Sequence, residues 1–259
     1  MIKEIPRIVR QLPDGATAMY AWFQAMHTRV DILLRHTGPA ACDLMQRVIN
    51  QMQQEIFELE CVGNCFSPSS EISRLNNLSA GKRIKLSPIL HDILSKCQYY
   101  HSITDGLFDI SISSSHHTPH TFHYLKLHED HTASKEDKFL VLNLSGFLKG
   151  YALDRMKAIL EYHKLSDALL NMGNSSILSM GDVPFHIKNS CLTTSGNSAI
   201  NPRHIINPKT GEYVTTEKKV SVVTDTGTNG EVASTVMLLC ETGNRKAMME
   251  NLNVKDVIG

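Results

Sequence analysis

Alternation of apolar and polar side chains becomes regular at Thr28–Leu34. There Thr28, Val30, Ile32 and Leu34 face one way and Arg29, Asp31 and Leu33 the other. A period of two predicts a strand with one wetter face. The period then lengthens. Pro39 opens a helix whose apolar stripe runs through Leu44, Val48, Met52, Ile56 and Leu59, the spacing of a single helix face. Gly63 and Pro68 mark a loop, and the hydroxyl- and amide-rich stretch Ser69–Asn77 suits turns and caps. Ile84–Leu86 reads as a short strand. Ser87 and Pro88 then supply an N-cap and a first helical residue for a helix carrying Leu90, Ile93, Leu94 and Cys97.

In the second half, the apolar run Phe139–Leu142 predicts a buried strand. It leads into Asn143–Gly150, a glycine-containing turn, and then into a helix on which Ala152, Met156, Ile159 and Leu160 recur. Lys149 falls in the first turn of that helix. Free N–H groups and an ammonium at one helix end suit an anion such as phosphate, although an ordinary strand–helix connection has the same pattern. Further strands are expected at Asp167–Asn174, Cys191–Asn197 and Val220–Val223. His204–Gly211 sets a histidine on a two-residue apolar strand before a Pro/Gly turn. Thr226–Gly230 reads as a loop feeding a helix over Glu231–Leu239. Glu231 and Thr235, four apart on one face, either cap that helix or offer oxygens to a hard cation such as Mg²⁺. Strands and helices are interspersed without strict alternation, which argues for an α+β fold.

Composition narrows the possibilities. The 26 basic and 26 acidic side chains cancel, so no broad attraction to nucleic acid or an anionic membrane is expected. No apolar run approaches the ~18 residues of a membrane-spanning helix. Met1–Arg7 lacks the apolar core of a secretory signal, and Cys42, Cys61, Cys65, Cys97, Cys191 and Cys240 are scattered. A cytoplasmic protein with free thiols, folded as a single domain over 1–259, is the expectation. Two features stand out chemically. Asp109 lies between Phe108 and Ile110, where a carboxylate needs a partner or a ligand. Residues 116–131 hold six histidines, His116, His117, His120, His123, His128 and His131, as a metal site or as a solvated loop.

Seven blocks, in one order, then resemble the ApbE family of FAD:protein FMN transferases over roughly residues 23 to 240. They are Ser70–Asn76, Thr104–Asp109, Gly146–Asp154, Asn171–Gly173, Thr194–Gly196, His204–Gly211 and Ser234–Thr235. The resemblance implies mixed, largely antiparallel sheets with flanking helices and an FAD pocket between two lobes of one domain. It implies Mg²⁺-dependent transfer of FMN from FAD to a Ser or Thr hydroxyl of an acceptor flavoprotein, with AMP released. By position, Met26 and Phe66 would lie against the flavin nucleotide, and Ala25-Met26-His27-Thr28 is similar to the family's Ala-Met-Gly-Thr. Asp105, Gly106, Leu107 and Phe108 would form a nucleotide-contacting loop. Asn143, Lys149, Gly173, Ser195, Gly196, His204 and Ile206 fall on other FAD-binding positions. Gly146 (through its carbonyl), Glu231, Ser234 and Thr235 fall on metal positions, and His204 with Glu231 on catalytic ones. The chain also departs from the family. Asn143 and Glu231 stand where Asp is usual, Ser145-Gly146 where two glycines are usual, and Asn197 where Asp is usual. Only Gly181–Ser190 separates Met180 from Cys191, which predicts a shortened lobe. These departures keep a second expectation open: an FAD-binding protein of the same fold with weak or no transfer activity.

Overall fold

The computed structural model describes residues 5–197, 204–215 and 217–258. The chain opens with an antiparallel meander, β1 (Arg7–Gln11), β2 (Thr17–Ala25) and β3 (Thr28–His36), followed by the long helix α1 (Ala41–Gly63). Next come α2 (Glu71–Asn76), β4 (Arg83–Lys85), α3 (Pro88–Ile103), β5 (Leu125–Leu127), β6 (Thr132–Lys135) and α4 (Leu148–Tyr162). The chain then returns to sheet as β7 (Asp167–Met172), β8 (Ser176–Met180), β9 (Ser190–Gly196) and β10 (Lys219–Thr224). It ends in α5 (Gly227–Leu239), α6 (Arg245–Asn251) and β11 (Asp256–Ile258).

Eight strands form one antiparallel sheet, ordered β1-β2-β3-β7-β8-β9-β10-β11, and β4-β6-β5 form a small second sheet. The large sheet joins successive strands except at one seam. There β3 pairs with β7, from Val30 opposite Met172 to Arg35 opposite Asp167. As expected, Val30, Ile32 and Leu34 of β3 are buried. They meet the stripe of α1, in which Met45 rather than Leu44 faces inward beside Val48, Met52, Ile56 and Leu59. Ser87 caps α3 by accepting the Leu90 N–H at 3.1 Å. The α+β arrangement with mainly antiparallel sheets is therefore as the sequence implied.

Two local expectations change. Phe139–Leu142 is not a strand: Phe139 lies in a turn and residues 140–142 join no ladder. Leu140 and Leu142 are buried while Phe139 and Val141 are exposed, so the alternation is real. Its backbone partners, however, are side chains. Asn76 Oδ1 accepts the Leu142 N–H at 2.8 Å and Asn76 Nδ2 donates to the Leu142 carbonyl at 2.9 Å. Ser114 Oγ serves Val141 in the same two ways. The second change is at α5, which begins at Gly227, with Thr226 as N-cap accepting the Asn229 N–H. Glu231 is thus one turn inside the helix and does not cap it.

Helix α4 crosses α5 at a glycine–glycine contact. A Cβ on Gly150 would lie 2.1 Å from the Gly227 carbonyl oxygen, and one on Gly227 would lie 2.6 Å from the Gly150 oxygen. Half-buried Asp154 completes the joint by accepting the N–H groups of Gly227 (2.7 Å) and Thr228 (2.9 Å), at the positive end of the α5 dipole. Gly150→Ala should cost about 3 kcal/mol, because backbone must move to admit the methyl group. A drop in the urea midpoint at unchanged slope would show it, and an unchanged midpoint would refute the close-contact reading.

Candidate functional site

The α4–α5 crossing decides what lies beside it. Lys149 precedes the contact glycine on α4, and Glu231 sits one turn beyond Gly227 on α5. Lys149 Nζ stands 3.7 Å from Glu231 Oε1. The β7–β8 turn delivers two hydroxyls to the pair. Lys149 Nζ donates to Ser175 Oγ and Ser176 Oγ, and Ser176 Oγ donates in turn to Glu231 Oε1. Burial raises the Glu231 pKa, against the opposing effects of the Lys149 charge and the Ser176 and Lys149 hydrogen bonds. One turn further, Ser195 Oγ of β9 shares protons with Ser234 Oγ (2.8 Å) and Thr235 Oγ1 (3.1 Å). Those two hydroxyls also bond the Glu231 carbonyl within the helix.

Lys149 also lines an open cavity of about 100 Å³ with Met26, His27, Glu60, Gly63, Asn64, Cys65, Phe66, Ser145 and Leu148. The tip of the β2–β3 hairpin forms one wall. Its two turn residues, Met26 and His27, both have positive φ, 50° and 56°. That backbone costs a non-glycine residue about 1–2 kcal/mol. Glu60 holds the tip from α1, its Oε1 accepting the Met26 N–H at 2.6 Å. Burial pushes the Cys65 thiol pKa up, so it lines the wall as a neutral group. Met26, Phe66 and Lys149, singled out from the sequence, thus meet at one cavity. Glu60, His27 and Cys65 join them unannounced; the signal for His27 was a bulky side chain between the two strands of a tight hairpin.

The remaining residues divide by burial. Asn143 Oδ1 accepts the Ser145 N–H at 2.9 Å, shaping the turn before α4, and the Asn143 N–H bonds the Ile110 carbonyl. This ties the turn to the loop after α3. In that loop Asp105 and Gly106 adopt positive φ, and Lys209 Nζ donates to the exposed Asp105 carboxylate at 2.6 Å. The His204–Gly211 segment is drawn to the same corner. His204 is exposed there, and Ile206 bridges Tyr213. Gly146 is exposed, with open space where a Cβ would be.

Phe108 is buried in the core against Tyr100 and Phe147. Leu107 packs half-buried on the same core. Gly173 has φ 64°, and a Cβ there would strike Thr28 Oγ1 at 2.3 Å, so packing explains it. Gly196 likewise abuts β10, where a Cβ would lie 2.8 Å from the Lys218 carbonyl oxygen.

Asp109 has its partners within the protein: His117 Nε2 at 2.8 Å and both the N–H and the hydroxyl of Ser111. His128 bonds Ser134, and His131 stacks near His91. Among the described residues, no group of three His, Cys, Asp or Glu side chains converges as for a metal ion. Also among the described residues, no helix is long and apolar enough to cross a membrane.

A cavity walled by a hairpin and a helix end, with a lysine and a buried carboxylate at its back, defines an α+β protein with a built, charged cleft. Comparison with known proteins gives that class a family. The ApbE family profile matches residues 26–118 and 115–258, and the chain belongs to the ApbE family. A relative from Chlamydia muridarum, named FAD:protein FMN transferase, is 26% identical over 207 residues, which span 62% of this chain and 66% of that protein. A second, of the same name and from Chlamydia trachomatis, is 27% identical over 43% of this chain and 42% of its own length. The flavin transferase ApbE of Vibrio cholerae superposes with a TM-score of 0.77 at 15% identity, over 98% of this chain and 93% of that one. The ApbE protein of Thermotoga maritima gives 0.76 at 15% identity, over 93% of both chains. Across the short 181–190 connection β8 and β9 pair directly.

The buried carboxylate carries a pH signature. A carboxyl whose pKa is raised on folding contributes stability below its ordinary value, 4.5 for Glu231. That contribution is lost as pH rises through the raised value. Across about pH 4 to pH 7, the melting temperature of Glu231→Gln should therefore climb relative to the unaltered chain. A constant difference would contradict the raised pKa.

Proposed function

We propose that this chain transfers FMN from FAD to a Ser or Thr hydroxyl of an acceptor flavoprotein, with AMP as the leaving group. The observation that carries the reading is Lys149, which lines the cavity and also sits 3.7 Å from Glu231. An ammonium there can leave the carboxylate for the pyrophosphate of a bound dinucleotide, a stronger and more accessible anion. The acceptor oxygen attacks the FMN phosphorus, and the bond from that phosphorus to the AMP oxygen breaks. His204, on its exposed segment, takes the hydroxyl proton. The corner formed by Asp105 and Lys209 holds that segment beside the loop after α3.

The donor chemistry fits a hard cation. Glu231, Thr235, Ser234 and the Gly146 carbonyl offer only oxygens, and Mg²⁺ typically takes one or two carboxylates and keeps several waters. Mg²⁺ held by these residues would supply neutralisation of charge on the phosphoryl group. A second reading is favoured by one observation. Glu231 already shares its charge with Lys149 and its oxygen with Ser176, and Asn143 brings no second carboxylate. An FAD-binding protein with slow transfer would have such a site.

The test incubates the protein with FAD, Mg²⁺ and an acceptor peptide bearing a Ser/Thr flavinylation motif. In-gel flavin fluorescence should label the acceptor, with AMP released in equal amount. His204→Ala or Glu231→Ala should lower the rate by about 10² or more. Tight FAD binding with neither label nor AMP would select the second reading.

A further inference from the structure

His27 occupies a backbone position that suits glycine. The β2–β3 hairpin closes in two residues, Ala25 pairing with Thr28 across Met26 and His27. Both turn residues have positive φ, and such turns are ordinarily filled by Asn-Gly. A strained residue persists when something compensates for the strain. Among the described residues the fold makes little use of the imidazole: its ring contact is with Phe66, centroids 6.0 Å apart and planes at 86°. Phe66 is itself 70% exposed, with its backbone N–H fixed by Asn64 Oδ1 at 3.0 Å. Both rings line the cavity, with Lys149 on the same wall set. Two aromatic planes at right angles make a corner, in which a flat ring stacks on one face and meets the other edge-on.

The geometry points to His27 as a specificity-determining residue that, with Phe66, receives a planar aromatic heterocycle while Lys149 takes the phosphate attached to it. This rests on the FAD reading above and deepens it. FAD carries two such rings, isoalloxazine and adenine, each joined to a phosphate. The histidine would account for discrimination among phosphate-bearing ligands that Lys149 alone cannot supply.

The test titrates FAD, FMN and AMP onto the unaltered protein, His27→Gly and His27→Asn by calorimetry, alongside melting temperatures. Glycine removes the backbone strain, so His27→Gly should melt about 2–4 °C higher. Asparagine tolerates the left-handed turn but carries no ring. Both variants should bind FAD about five- to tenfold more weakly, with the same loss for only one of FMN and AMP. The affected half identifies the ring. Unchanged FAD affinity in both variants, or equal losses for FMN and AMP, would overturn the assignment. If the unaltered protein binds none of the three, the FAD reading fails and this inference with it. Normal binding by the unaltered protein and by both variants sinks the inference alone.

Discussion

Everything chemical in this structure hangs on a place where two side chains are missing. Helices α4 and α5 cross at Gly150 and Gly227 so closely that either Cβ would overlap the opposite backbone oxygen. Asp154 accepts two N–H groups from the start of α5 and holds the crossing in register. Burial raises the Asp154 pKa, and the Thr228 and Gly227 hydrogen bonds oppose that rise. The crossing then places Lys149 beside Glu231. A methyl group at the crossing would separate the two helices, and with them the two charges. Packing and electrostatics are here a single constraint.

Much of the scaffold was legible because periodicity is a direct print of burial. The alternation in β3, the stripe of α1 and the Ser87-Pro88 start of α3 each followed from one local rule. The misread elements share one physical cause, a partner that lies far away in sequence. Leu140 and Leu142 alternate as a strand does, but an asparagine sixty-six positions away from Leu142 completes the ladder. Gly227–Gly230 looked like a loop because glycine is a poor helix former, and the reason for glycine was a second helix that local sequence does not reveal. The site behaved in the same way. Met26 and Phe66 were reached through resemblance and Lys149 first through its place at a helix start, whereas Glu60 and Cys65 sit on or beside a long helix, where a carboxylate and a thiol are unremarkable.

The histidine-rich segment shows how a suggestive composition resolves. His117 hydrogen-bonds a carboxylate that the chain has buried beside Phe108, and His101 lies 3.9 Å from the same oxygen. Burial lowers the His101 pKa, partly offset by the Asp109 charge. These rings stabilise the floor under the loop that carries Asp105. His117 and His101 therefore support that loop from below through Asp109.

The large sheet has one seam whose consequence is kinetic. Strands β1 to β3 form by short connections, and β7 to β9 do so again. Pairing β3 with β7, however, must bring together two segments separated by residues 37–166, which include four helices and the small sheet. Loop-closure entropy grows only slowly with length, but non-local pairing is the step that slows folding. The hairpin tip at Met26-His27 belongs to one side of that seam, and Lys149, Ser175 and Glu231 depend on the other. Completing the cleft thus depends on that one non-local pairing.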